Sequence, residues 1–146
     1  MIFVTRQLHD GIQPGSAWER RAEREWRRRE GIYARHLKII SSLLPAAVRR
    51  LCREGLHDAQ VESATSARAT LTLIVDLKHA LGGFRGRRLQ LTFSGVHGRG
   101  STRGLRGQWW LYEEAHLSSR ARFSLHVMLD KSDLEIEAEK LSIRRV

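Results

Sequence analysis

Glu114, His116 and His126 are side chains of the types that move protons or hold metals, and they fall within one stretch of alternating polarity. If residues 107–130 fold as a hairpin, Glu114 and His116 are two apart on one strand and project together, with His126 diagonal to Glu114 on the next. A carboxylate with two imidazoles could ligate zinc or act as an acid and a base. The outer face of an antiparallel sheet is commonly just polar, which is the plainer reading. His57-Asp58 is a second pair, but neighbours on a strand point to opposite faces, so a turn or strand start accounts for it. Neither HExxH, CxxC, GxSxG nor a P-loop is present, and nothing in the sequence calls for a cofactor.

Charge gives a second kind of candidate. The chain carries a formal net charge of +10, and its basic residues are almost all arginine, with lysine only at Lys38, Lys78, Lys131 and Lys140. Between Leu77 and Tyr112 stand Lys78, Arg85, Arg87, Arg88, Arg99, Arg103 and Arg106 with no acidic residue among them. Arginine forks on glycine-rich backbone can approach phosphate or carboxylate closely. The expected partner is therefore anionic, either nucleic acid or an acidic protein surface. Gly98 to Gly104 is not a phosphate cradle, because it leads into a strand and lacks the helix N-terminus such loops exploit. The arginines at 20, 21, 24, 27, 28 and 29 are interleaved with Glu19, Glu23, Glu25 and Glu30. Glu23 with Arg27 and Glu25 with Arg29 have helical pair spacing, so a solvated, salt-laced face is expected there. A third possibility is a protein-binding, immunity-like inhibitor that uses Trp110, Tyr112 and Met128 as interface anchors beside the arginine loops.

These residues need elements to position them. Ser118 to Arg120 read as the hairpin turn, which pairs Ala115 with Phe123, Glu113 with Leu125, Leu111 with Val127 and Trp109 with Leu129 on a core face. Glu113 is the misfit in that row, and a rim position or a bulge would turn it outward. Residues 1–7 read as a short edge strand, and Ser16 as an N-cap with Glu19 at capping-box spacing. Trp18, Ala22, Trp26, Tyr33, Leu37, Ile40 and Leu44 then form the stripe of a long amphipathic helix that Gly31 could bend or split. A short helix runs from Pro45 to Gly55, and period-two runs follow around 59–64, 69–77, 89–93, 134–138 and 141–146. The fold class is α+β: an N-terminal long helix plus a short helix packed on a C-terminal antiparallel sheet of about six strands.

The 146 residues make one domain, 1–146, mainly helical over 1–55 and antiparallel sheet over 56–146. A single cysteine, Cys52, excludes an internal disulfide. No apolar run approaches the roughly 20 residues needed to cross a bilayer, so no membrane partner and a cytoplasmic location are expected. The opening Phe-Val-Thr-Arg-Gln-Leu-His-Asp, the Leu-Leu-Pro before the short helix, Leu-His-Asp-Ala at 56–59, and Trp-Trp-Leu-Tyr-Glu-Glu followed by Leu-His-Val-Met-Leu-Asp carry a resemblance. Together they resemble a domain-of-unknown-function family of small bacterial proteins. The resemblance implies one compact bacterial domain and names no substrate.

Overall fold

The computed structural model describes residues 2–15, 18–98 and 102–146. In chain order it contains a short helix α1 (Arg6–Gly11), the long helix α2 (Glu19–Ile40) ending in a 3-10 turn (Ser41–Leu43), and α3 (Ala46–Glu54). Seven strands follow: β1 (Gln60–Ala67), β2 (Thr70–Asp76), β3 (Arg88–Ser94), β4 (Trp110–His116), β5 (Phe123–Leu129), β6 (Asp133–Ala138) and β7 (Lys140–Arg145). The α+β reading holds, but the strands form two antiparallel sheets instead of one, in the orders β1-β2-β3-β7 and β4-β5-β6.

Leu71, Leu73, Val75, Leu89, Leu91 and Phe93 of the first sheet share one buried core with Phe123, Leu125, Val127, Leu134 and Ile136 of the second. Strands β2, β3 and β6 bury alternate residues, and β5, enclosed on both faces, lies between β4 and β6, so the sheets pack face to face. The chain changes sheet at a single residue, Glu139, between β6 and β7; its N–H donates to the Ser94 carbonyl at 3.0 Å. Gly95 makes that corner possible. Its φ is +66°, and a Cβ there would stand 2.6 Å from Glu139 Cγ.

Helix α2 runs without a break through Gly31, which points into open space. Its outer face is salt-laced as expected, with Arg27 on Glu23 at 2.5 Å and both Arg28 and Arg29 on Glu25 at 2.9 and 2.7 Å. The expected apolar stripe is only partly buried: Ala22, Tyr33, Ile40 and Leu44 are enclosed, whereas Trp18 is 64% exposed. The stripe also meets an unexpected surface. Tyr33 Oη accepts the Ala115 N–H at 2.7 Å, and Trp26 stands edge-on to Tyr112. The long helix therefore lies along β4, the edge strand of the three-stranded sheet, on the side away from the core. The apolar side of that sheet is closed by the other sheet and by Ile40, Leu44, Val48 and Leu51.

Two further expectations change. Residues 2–5 are not an edge strand, and Thr5 instead caps α1, accepting the Leu8 N–H. In the hairpin, Glu113 pairs with Val127, Glu114 with His126 and Ala115 with Leu125, a shift of two residues. The shift arises because the connection spans 117–122, where Ser118 Oγ accepts the Arg120 and Ala121 amides at 3.1 and 3.0 Å. A register break between Trp110 and Tyr112 then places Trp110, not Trp109 or Leu111, opposite Leu129 in the core. The Ser16 cap lies outside the described residues.

Tyr33 holds the edge of the second sheet through one hydroxyl. Tyr33→Phe leaves the enclosed Ala115 N–H unpaired and is expected to cost about 1–3 kcal/mol. The loss should appear as a lower urea midpoint at unchanged slope. An unaltered midpoint would mean that this contact does not secure the edge.

Candidate functional site

Glu114 is completely buried, on the face of β4 that looks away from the core. Three consecutive amides of the N-terminal segment converge on its carboxylate: Ile2 N–H on Oε2 at 2.8 Å, Phe3 N–H on Oε1 at 3.1 Å, and Val4 N–H on Oε1 at 2.6 Å. His116 Nε2 adds a fourth contact at 3.1 Å to Oε2. Burial opposes ionisation here, but the His116 contact and the amides of Val4, Ile2 and Phe3 outweigh it and hold the carboxyl below its ordinary range. These amides are spent on the carboxylate and are not free for a ladder, which is why residues 2–4 form no strand.

The structure brings Glu114, His116 and His126 together, as the alternation requires, with His126 directly opposite Glu114 and not diagonal to it. The rings of His116 and His126 are 5.1 Å apart. Helix α2 adds a third imidazole, His36, 5.4 Å from His116, and Phe3 stacks on His116 at 5.9 Å. His36 is one turn beyond Tyr33 on α2, and its isolated position in the sequence gave no sign of this neighbourhood. Burial, the foremost cause, lowers the pKa of His126 against the opposing pull of Glu135. Among the described residues, His36 Nε2 and His126 Nδ1 are enclosed without a hydrogen-bond partner. Among the described residues no three His, Cys, Asp or Glu side chains are arranged to hold a metal ion. The Glu114 oxygens are already engaged, so this cluster can brace the N-terminal segment but offers no free carboxylate to a substrate.

Glu113, next in the chain, projects from the opposite face. It is half-buried, accepts Trp110 Nε1–H at 2.6 Å, and is pushed up to about 7 by burial, against the indole bond and nearby His57. The inward turn of Trp110 at the register break supplies that bond, so the misfit of the sequence row is a half-buried, hydrogen-bonded acid at the rim beside the end of α3. Cys52, pushed up to about 12 chiefly by burial, is an unreactive thiol.

The expected arginine rim is regrouped. Val61, Val75, Leu89 and Arg145 form one row across the four-stranded sheet, at the end where β3 begins and β7 finishes. Gly83 N–H donates to the Glu54 carbonyl at 2.6 Å, holding the β2–β3 connection against α3, and a Cβ on Gly82 would collide with the Gly55 carbonyl. Seven arginines consequently gather here: Arg50 and Arg53 from α3, Arg85 and Arg87 from the connection, Arg88 from β3, and Arg144 and Arg145 from β7. The Arg50 guanidinium lies over the Phe84 ring at 5.1 Å. Arg106 comes to the same end, because the neighbouring Gly107 N–H donates to the Val61 carbonyl at 2.7 Å. Arg103 is exposed, and Arg99 lies outside the described residues.

The expectation of a rim without carboxylates does not hold in full. Arg88 pairs with Glu62 at 2.7 Å, Arg87 with Asp76 at 3.7 Å and Arg53 with Glu54 at 2.9 Å. With Arg106 counted, eight arginines stand against these three acids and Asp58, which the Leu81 N–H on the His57 carbonyl brings beside the same connection, so positive charge remains in excess. Arg50, Arg144 and Arg145 come from segments distant in the chain, and no charge run announces them. The expected anchors lie elsewhere. Trp110 and Met128 are fully buried and present no surface to a partner, and Tyr112 is half-buried between Trp26 and Tyr33.

The two adjacent glutamates give opposite pH responses. Glu113 has its folded pKa raised from 4.5 to about 7, so the folded state holds more protons over that interval. Its share of stability is full at low pH and is lost as pH rises through about 7. Glu114 is depressed, so its share is present above the ordinary carboxylate range and is lost as pH falls through its folded value. Glu113→Gln is expected to flatten the fall in unfolding midpoint between about pH 5 and pH 8. Glu114→Gln, which sets an amide group against three amide donors, is expected to cost about 2–4 kcal/mol at neutral pH. Equal responses of the two variants across this range would contradict the assignment.

The stretches that carry the family resemblance are bonded to one another. The N-terminal stretch gives its amides to Glu114, and Arg6 donates to the carbonyls of Leu129, Asp130 and Ser132 and to Asp133. Leu-His-Asp-Ala docks on Trp-Trp-Leu, with Asp58 N–H on the Trp110 carbonyl at 2.8 Å and His57 Nδ1 on the Leu111 carbonyl at 2.6 Å. No curated protein and no solved structure matches the chain. Residues 8–138 do match a family, and the chain belongs to it: the proteins of unknown function called DUF4085.

Proposed function

We propose that the protein is a non-catalytic binding module whose arginine-bearing end engages an anionic partner. The observation that carries this reading is the gathering of arginines from α3, the stretch 85–88, β7 and the segment before β4, in excess of the carboxylates at that end. Guanidinium groups converging from a helix, a glycine-rich connection and two strands form a preorganised positive surface, which raises encounter rates and favours anions over neutral partners. The alternative, an acid-base or metal-dependent enzyme centred on Glu114, His116 and His126, has less support, because its carboxylate is enclosed and fully engaged. The inhibitor alternative loses two of its three expected anchors to the interior.

Net charge alone is separated from site by a matched comparison. Arg85, Arg87 and Arg145 are changed to Gln in one variant, and Arg20, Arg24 and Arg35, exposed on α2, in another. Both variants lose three charges. With heparin as the probe, the first is expected to bind at least about tenfold more weakly than the parent, and the second to stay close to it. Equal losses in the two variants would reduce the interaction to bulk charge and remove the site.

A further inference from the structure

The four-stranded sheet has a face that no helix or strand among the described residues covers. Leu71, Leu73, Leu89 and Leu91 point into the core, so the alternate residues of β2 and β3 and their partners on β1 and β7 point outward. Helices α2 and α3 pack on the other sheet, on β7 and in the core, and the outward positions remain exposed or half-buried. By register, the middle row of this face is Thr65, Thr72, Thr92 and Ser142, four hydroxyl groups side by side. Towards the arginine end the next row contains Gln90 and Arg144, and at the far end Lys140 stands opposite Ser94. Arg144 donates to Gln90 Oε1 at 3.0 Å, and Gln90 Nε2 donates to Thr92 Oγ1 at 3.1 Å. This chain of bonds holds the guanidinium over the sheet.

We propose that the anionic partner is the phosphodiester backbone of duplex nucleic acid, laid along this face and bound without base specificity. The inference rests on the binding reading above and names its partner. Backbone phosphates are contacted by arginine, lysine, serine, threonine and glutamine, which these rows carry beside Ile74 and Ala67, and the carboxylates at the arginine end of the sheet, Asp76 and Glu62, are paired with Arg87 and Arg88. An acidic protein surface fits less well, because a stable protein interface has an apolar centre and Ile74 is the one large apolar side chain among the outward positions described here. Single-stranded nucleic acid also fits less well. Sheets that bind it stack bases on aromatic rings, and the aromatic residue of these strands, Phe93, is buried on the core side. A face built of strands about 4.8 Å apart and rising about 3.3 Å per residue is broad enough to follow a stretch of duplex backbone and has nothing that enters a groove.

The test measures binding of the full chain to duplex DNA of unrelated sequences, to the matching single strands and to poly-glutamate across a salt series. Duplexes of different sequence are expected to bind alike and more tightly than the other two probes. Arg144→Gln and Lys140→Gln should each lower the slope of log affinity against log salt by about 0.9, and Arg35→Gln on α2 should leave it unchanged. Preference for single strands or poly-glutamate, sensitive to Arg85, Arg87 and Arg145, would overturn the duplex assignment and leave the binding reading standing. Absence of binding to every polyanion, heparin included, would overturn both. Duplex binding with slopes unmoved by Arg144 and Lys140 would overturn the placement on this face.

Discussion

A carboxylate enclosed in the protein has to be paid for in hydrogen bonds, and at Glu114 this requirement fixes the course of the N-terminal segment. An unpaired buried carboxylate costs several kcal/mol. Three successive amides and one imidazole meet its oxygens, so the backbone of residues 2–4 can lie in only one place. The position of α1 follows from that anchor, because Thr5 caps it immediately and Arg6 ties the same segment to the β5–β6 turn. Gly11 then lets α1 approach α2 closely, where a Cβ would stand 2.9 Å from that of Ala22. Helix α2 is in turn fixed along β4 by Tyr33. One buried charge thus propagates, contact by contact, into the placement of the whole helical half.

The same geometry explains why the most reactive-looking residues make a poor active site. A general acid or base needs an oxygen or nitrogen that a substrate proton can reach. Glu114 has its oxygens occupied by main-chain donors, and His116 has its Nε2 turned to that same carboxylate. Glu113 carries the perturbed acidity associated with catalytic acids. Its pairing with the Trp110 indole and its placement between the sheet and the α3 end give it a structural cause for that perturbation. Neighbouring acids on a strand thus differ in acidity because one faces amide donors and the other faces an indole and apolar surroundings.

Much of the architecture was legible because it depends on periodicity. The runs at 89–93 and 134–138 alternate strictly, and 69–77 does so but for Ile74; each became a strand with the expected buried residues. The division into two sheets was not legible, because nothing local distinguishes Glu139 as a corner from an ordinary hairpin residue; the reason lies in Gly95, over forty residues away. Trp109 and Trp110 are chemically identical neighbours, so only the register break, with His57 drawn onto the Leu111 carbonyl, decides which enters the core. The candidate sites divide in the same way. Glu114, His116 and His126 could be assembled from strand geometry alone, whereas His36, Arg50 and Arg145 arrive through tertiary packing and leave no mark in the local sequence.

What the arginines do individually bears on why so many stand at one end. Where the fold uses an arginine, the use is visible as bonds to backbone: Arg6 to three carbonyls, Arg49 to Ser41 and Leu44, Arg29 to Phe3. Arg85, Arg106 and Arg145 are exposed, and among the described residues their side chains bond to no backbone carbonyl. Their proximity raises the self-repulsion of a chain already at +10, which disfavours the compact state. Under the binding reading the repulsion has a use, since it is relieved when an anion settles over this end, and the relief adds to the affinity. Under the same reading the polar chain from Arg144 through Gln90 to Thr92 would work in the same direction, by holding a donor fork in place ahead of a partner.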